Sequence, residues 1–422
     1  MKKSNSIFKI FFILSIFFIL PLKNSISYPI DGYNKTRIAR LLYLERQLEA
    51  GEELRRVPAG ALFDENTIDL NLCERRDDSL SVVMNVDKAF DQKIRSIIPG
   101  SGYSTAILDM TDIDNLRYAE HRGQVGYQPG SVGKLAVLTA LFTQLEKLYP
   151  SSFDDRVELL RDKIVTARYW GTGDHHTIPI YDIEKDKLTK RRVVASDAFS
   201  LYEWADHMVS VSNNGAASVL WREAMLMYAF QEEYKCMMEE DAEAFFENTS
   251  RDSLTNLANY IVNQPLLDMG ITKDEWRLGS FFTGAANKYV GDKGGSTGTP
   301  AGLMKFFVQL EQGNVVDQLS SIEMKKLLYI TDRRIRYAQS PSIKESGVYF
   351  KSGSFYKCDR TADPNCAAYA GNVYNYMNSV IIVEKPSGHK YIVCLMTNVL
   401  NKNSAGAHMY LAGKIDDIIS GD

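Results

Sequence analysis

Apolar positions fall at near-helical spacing between Lys35 and Leu48, at Ile38, Leu41, Leu42, Leu44 and Leu48, and predict one helix within a charge-rich stretch, residues 28–84. The pattern then shortens to apolar runs of strand length, Leu80 to Val86 and Tyr103 to Met110, with a predicted helix Lys88 to Ile98 between them that stops at Pro99-Gly100. From Ser131 to Leu148 a broad stripe of Leu135, Val137, Leu138, Leu141, Phe142 and Leu145 predicts a core helix. Residues 150–299 read as mostly helical and polar, with loops around Gly171–His176 and Gly291–Pro300. The acidic stretch Glu232–Asp252 reads as a solvated helix face. Two helices (Gly302–Gln312 and Ile322–Tyr329), three strands (Gly347–Tyr356, Asn378–Glu384 and Tyr391–Met396) and a last helix (Ala407–Ile419) complete the pattern.

This order is strands, a long helical insert, more strands and a terminal helix. It predicts an α/β protein of the α+β type, in which strands from both ends of the chain form one mostly antiparallel sheet flanked by helices. Residues 85–120 and 300–422 would supply the sheet part, residues 121–299 an enlarged all-helical part, and residues 28–84 an N-terminal extension. Strand and helix do not alternate as a doubly wound fold requires. The Gly291–Gly298 run lacks the Gly-Lys-Ser/Thr pattern of a phosphate loop and reads as a tight turn before a helix.

Composition narrows the function. The 422 residues carry 49 Lys+Arg against 53 Asp+Glu, a net charge of −4, so the basic excess of a general nucleic-acid binder is missing. With 45% hydrophobic and 24% charged residues, a packed core is expected and a mainly disordered chain is excluded. Lys2, Lys3 and Lys9 precede an apolar run, Ile10–Leu22, and Ser25 and Ser27 offer small residues before a cut at Tyr28. Residues 1–27 are therefore expected to be a secretory signal peptide, and the mature protein to be exported to the periplasm or medium without a stable membrane span. An oxidising compartment permits disulfides, and Cys358 and Cys366 bracket a polar loop that one would staple. Of the remaining Cys73, Cys236 and Cys394, an odd total leaves at least one unpaired.

Candidate chemistry lies in three short motifs, Ser131-Val-Gly-Lys134, Ser212-Asn-Asn214 and Lys351-Ser-Gly353. A serine hydroxyl becomes a nucleophile when a neighbouring base takes its proton. Three positions apart on a helix, Ser131 and Lys134 share a face, and a buried, partly neutral Lys134 can be that base. The pattern Ser-x-x-Lys alone means little, because it also begins at Ser6, Ser354 and Ser387. Taken singly, Ser131 and Ser212-Asn-Asn214 are ordinary helix caps, and Lys351-Ser-Gly353 an ordinary edge strand. What separates Ser131 is its place after Pro129-Gly130, at the head of an apolar helix, with the other two motifs following in order.

As an ordered set, the motifs resemble the serine β-lactamase and penicillin-binding protein superfamily, and most closely its class A β-lactamase branch. Tyr127-Gln-Pro-Gly-Ser131, Gly298-Thr-Pro-Ala-Gly-Leu-Met, Arg334-Ile-Arg336 and the strand-turn-strand-helix ending support the resemblance, which covers residues 85–422. It implies Ser131 as the acylated nucleophile, Lys134 as its base, Ser212 as proton carrier to the leaving nitrogen and Lys351 as electrostatic support. It further implies an oxyanion hole from the backbone N–H groups of Ser131 and Ser354, and substrate binding by Asn214, Ser352, Gly353 and Arg334. It implies neither a metal nor an organic cofactor; the partner is a small β-lactam or a peptidoglycan peptide. Oligomeric state is not legible.

Class A enzymes carry a Glu-x-x-Leu-Asn loop whose Glu activates the deacylating water, and no such stretch lies between Ser212 and Lys351. Three readings therefore stand: an exported serine hydrolase acylated by β-lactams or D-Ala-D-Ala-like peptides, a cell-wall D,D-carboxypeptidase or transpeptidase, and a non-catalytic penicillin-binding module. Fast turnover of a chromogenic cephalosporin would mark the first. Long-lived labelling would mark the others, and release of D-Ala from a peptide would then separate them.

Overall fold

The computed structural model describes residues 32–52, 58–62, 67–332 and 334–421; the expected signal peptide lies outside these. Two short helices open the chain, α1 (Gly32–Thr36) and α2 (Ala39–Glu49), in place of one continuous helix over Lys35–Leu48. Arg37 takes a left-handed backbone (φ 60°) and breaks the run. The run Leu80–Val86, expected as a strand, begins instead as α3 (Leu80–Val83), and only Val86 pairs, with Tyr118. Val82 is exposed, so the run has one buried position to offer and no second face to fill.

After α4 (Lys88–Ile97) come β1 (Tyr103–Asp109) and β2 (Arg117–His121), then a 3-10 turn, Gly130–Gly133, that runs into α5 (Lys134–Leu148) and α6 (Phe153–Asp162). The middle of the chain holds α7 (Leu201–Val209), α8 (Asn214–Phe230), α9 (Glu239–Asn248) and α10 (Arg251–Asp268). Short ribbons accompany these helices: β3 (Ile164–Thr166) with β6 (Ala198–Ser200), β4 (Ile178–Asp182) with β5 (Lys187–Arg191), and β7 (Trp276–Arg277) with β8 (Thr297–Gly298). Next follow α11 (Pro300–Glu311), α12 (Gln318–Tyr329), β9 (Gly347–Lys357), β10 (Tyr374–Glu384), β11 (Lys390–Asn398) and α13 (Ala405–Ser420).

Many helix starts are written locally. Asp87, Ser152, Ser200, Asn213, Thr299 and Asp317 each accept a backbone N–H from the first turn of α4, α6, α7, α8, α11 and α12. Pro300 at the head of α11 has no N–H to leave unpaired there.

The main sheet has the order β2-β1-β11-β10-β9, and every pair is antiparallel. Its faces separate by strict alternation. Ala106, Leu108, Val380, Ile382, Ile392, Cys394 and Met396 join the large core shared with α5, α8 and α11. Ile107, Ile381, Val383, Val393 and Leu395 face the opposite way, against Phe90 and Ile94 of α4 and Leu411 and Ile415 of α13. Both faces are covered, which is why β10 and β11 read as continuous apolar runs.

The N-terminal extension is fastened to the body by buried polar contacts. Arg40 donates to both carboxylate oxygens of Asp206 at 2.6 Å and to the Ile330 carbonyl at 2.5 Å. Asn71 donates to Glu311 and Glu384, and the Tyr329 hydroxyl donates to Gly60 O at 2.9 Å.

Two histidines are buried as neutral rings. Burial lowers His207 to about 4, against the Asp206 charge that raises it, and lowers His408 to about 3 with help from Arg336. Their folded values lie below the unfolded one near 6.5, so unfolded chains gain protons first on acidification, and stability is lost as pH falls below 6.5. Between pH 7 and pH 5 each histidine should cost about 2 kcal/mol. Urea unfolding at the two pH values checks this; the drop should shrink by that share in His207→Leu, and an unchanged drop would refute it.

Candidate active site

The site forms where the 3-10 turn before α5 meets the free edge of β9. In a 3-10 turn, residues three apart eclipse each other, so Ser131 and Lys134 stand in line. Lys134 Nζ lies 3.0 Å from Ser131 Oγ. Gly130 has φ +53°, and a Cβ there would sit 2.8 Å from Ser354 N; a Cβ on Gly353 would sit 2.2 Å from Pro129 O and 2.9 Å from Ser131 N. Both glycines are therefore needed for the crossing, which brings the backbone amides of Ser131 and Ser354 together. Asn378 Nδ2 ties the same turn to β10 through Gln128 O and Pro129 O, at 2.9 and 3.0 Å.

Lys134 is the centre of the arrangement. Its amine is fully buried and meets the Ser212 carbonyl at 2.5 Å, Asn214 Oδ1 at 2.7 Å and Ser212 Oγ at 3.3 Å. Burial lowers its pKa to about 7, against the Asp174 charge that raises it. The neutral amine has two N–H bonds and one lone pair. Two neighbours can only accept, the Ser212 carbonyl and Asn214 Oδ1, and they take the N–H bonds. The lone pair is left for the hydroxyl proton of Ser131.

Lys351 stands on the other side of Ser212, its Nζ 2.8 Å from Ser212 Oγ and 3.2 Å from Ser352 O. Burial, then the charges of Lys134 and Arg336, push its pKa well below the ordinary lysine value. Ser212 Oγ thus bridges two amines that cannot comfortably both be charged. Ser212 has φ 63°, as Arg336 has 56° and Tyr369 61°, all in the left-handed region. Such backbone costs on the order of 1–3 kcal/mol per residue, and three instances fall on one pocket.

The pocket holds about 90 Å³ and is lined by Ser131, Ser212, Lys351, Ser352, Gly353 and Ser354, among others. Arg334 is placed elsewhere. Its guanidinium donates to Gly60 O at 2.8 Å and Ile343 O at 3.4 Å, whereas Arg336 lines the pocket and donates to Gly353 O at 2.6 Å. The turn at Arg336 explains the difference, because its left-handed backbone redirects the chain two residues after Arg334. Burial lowers Arg336 to about 10, so it remains a cation at neutral pH. The staple Cys358–Cys366 is formed, with Cα atoms 5.7 Å apart, and its loop leads to Tyr369, whose ring lies 5.9 Å from the Arg336 guanidinium.

Sequence reasoning did not reach Asp174 and His176. Asp174 is buried and accepts from Asn214 N at 2.6 Å, Asn214 Nδ2 at 3.1 Å, His175 N at 2.8 Å and His176 Nδ1 at 2.9 Å. Burial alone would raise its pKa, but His176, the Asn214 N–H and Lys134 together bring it down to about 2. Asp174, His175 and His176 offer three possible metal ligands within 4.8 Å, but the carboxylate's lone pairs are already met by four N–H donors. Asp174 therefore reads as an orienting residue for Asn214 and His176. The available signal was an Asp-His-His triplet in a chain with six histidines, placed in a loop before a strand. The segment between α10 and α11 brings Phe282, not an acid, to Lys134, with 5.2 Å from Nζ to the ring centroid.

The model of a family described as the β-lactamase enzyme family matches residues 89–415. Solved structures share the fold. A class A β-lactamase from Bacteroides cellulosilyticus is 15% identical, covering 80% of this chain and 100% of that one at a TM-score of 0.51. The TLA-3 extended-spectrum β-lactamase is 13% identical over 79% and 98% of the two chains, with a TM-score of 0.51. A β-lactamase from Chitinophaga pinensis is 14% identical over 78% and 98%, with a TM-score of 0.50. No curated protein matches the chain.

Proposed function

Since the chain belongs to the β-lactamase enzyme family, we propose that it is an exported serine hydrolase whose Ser131 is acylated by β-lactams or by D-Ala-D-Ala-like peptides. The observation that carries this reading is the Lys134 amine, whose two N–H bonds are claimed by Ser212 O and Asn214 Oδ1, leaving its lone pair to Ser131. Export is supported by the charged-apolar-small pattern of residues 1–27; among the described residues, no helix is long and apolar enough to cross a membrane.

Ser131 Oγ attacks the carbonyl carbon and gives its proton to Lys134. The new oxyanion is held by the Ser131 and Ser354 N–H groups, a type of contact worth roughly 3 kcal/mol per donor in the transition state. As the C–N bond breaks, the nitrogen takes the Ser212 proton, which Ser212 recovers from the amines on either side. Asn214 Nδ2 is committed to Asp174, so the substrate amide would be met by Asn214 sharing that N–H group or by its second N–H.

The experiment is intact mass of the full chain after brief mixing with a penicillin. Ring opening expels no fragment, so Ser131 should gain the whole mass of the drug. No adduct with several β-lactams, in folded protein, would overturn the reading. Phe282 beside Lys134, where an acid would serve hydrolysis, favours as a second reading a D,D-peptidase that deacylates slowly. An adduct lasting hours, with D-Ala released from a peptide, would select it.

Arg336 and Ser352 are assigned to the substrate carboxylate. Arg336→Ala should lower the acylation rate constant over KM by about tenfold to a hundredfold, the range of a charge-assisted hydrogen bond. The loss should be small for an ester substrate without that carboxylate. Equal losses on both substrates would place Arg336 in folding of the pocket instead.

A further inference from the structure

The acylation scheme leaves half-buried His176, paired with buried Asp174 at the pocket wall, without a role. His176 Nδ1 lies 2.9 and 3.1 Å from the two oxygens of Asp174, and His176 lines the same pocket as Ser131 and Ser212. We propose that His176 is the base that activates the water attacking acyl-Ser131, with Asp174 as its positioning residue. The proposal rests on the acyl-enzyme reading given above.

The hydrogen bonds fix the tautomer. Asp174 is ionised and can only accept, so the proton of the shared bond sits on His176 Nδ1. The lone pair is then on Nε2, the far side of the ring, as a general base needs. The ring is held at Nδ1 by Asp174, which Asn214 N fixes in turn, and the His176 backbone is tied through its carbonyl to Asn213 Nδ2 at 3.1 Å. Asp174, Lys134 and His175 are the charged or titratable groups around it; burial outweighs the Asp174 bond and lowers His176 below its ordinary value. The imidazole is therefore neutral at pH 7.

Other bases are accounted for. Among the described residues lining the pocket there is no Asp or Glu, and Lys134 and Lys351 are engaged with Ser212. In deacylation the water oxygen bonds to the acyl carbon while one water proton passes to Nε2, and the oxyanion returns to the Ser131 and Ser354 amides. The carbon–Oγ bond of Ser131 breaks, the imidazolium proton moves to Oγ, and the acid leaves, its own proton passing to solvent.

His176→Asn tests this, because asparagine keeps an N–H for Asp174 and removes the base. Acyl-enzyme formation and decay are followed by time-resolved intact mass with a penicillin and a cephalosporin from pH 5 to 8. Acylation of the variant should stay within about fivefold of the parent, while deacylation slows roughly a hundredfold and loses its fall at acid pH. Deacylation at the parental rate would overturn the proposal, as would an equal slowing of both steps, which marks a role in shaping Asn214. A parental adduct on Ser131 that never decays would overturn it and leave acylation standing. Absence of any parental adduct would remove both.

Discussion

Lys134→Ala is expected to slow acylation of Ser131 roughly a thousandfold or more, read as adduct formation by rapid-quench mass measurement. Loss of a positive charge is not the cause. Lys134 is enclosed by Ser131, Ser212 and Asn214, and burial holds its amine near neutrality, to about 7. The parental acylation rate should therefore rise with pH through about 7 and level off above it, as the amine loses its proton. Lys134→Arg should be as slow as the alanine variant, since a guanidinium keeps the charge and cannot serve as base. Substantial activity in that arginine variant would mean that Lys134 acts by charge alone.

Lys325→Met is expected to destabilise the fold by about 3–5 kcal/mol in urea unfolding. Lys325 is fully buried on α12, 2.8 Å from Glu311 of α11 and 2.7 Å from Glu384 at the end of β10. It also donates to the Asp69 carbonyl and lies 4.6 Å from the centre of the Tyr349 ring. Without the ammonium, two carboxylates face each other away from water. Burial already raises Glu311, while Lys325 is what holds Glu384 low against its own burial. Adding Glu311→Gln to Lys325→Met should recover part of the loss, since the pair removes a charge that one change leaves unmatched. A loss under about 1 kcal/mol for Lys325→Met would mean that water reaches the cluster.

The three candidate motifs are legible because each is short and sits on an element whose pattern is strong. The stripe of α5 and the apolar runs of β9 to β11 mark Ser131 and Lys351 in the sequence alone. Ser212 and Asn214 follow from the cap of α8. What was not legible depends on contacts far apart in sequence or on one backbone angle. Asp174 matters through Asn214, 40 residues on. Arg334 and Arg336 are equal candidates until the turn at Arg336 directs one of them to the pocket. The N-terminal extension carries little pattern of its own, because what fixes Arg40 and Asn71 is a set of carboxylates on α7, α11 and β10.

The crossing of the Gly130–Gly133 turn over β9 has a consequence for solubility. β9 is the last strand of the sheet, and an uncovered edge is a template on which another chain can add a strand. The turn that holds Ser131 lies across that strand at Gly353 and Ser354. Building the amide pair and guarding the sheet against self-association are thus one contact. Gly353→Ala, whose Cβ would press on Pro129 O, should lift the turn and lose acylation. It should also expose the edge, so that the inactive protein forms soluble aggregates in light scattering under conditions where Ser131→Ala, with the crossing intact, stays dispersed.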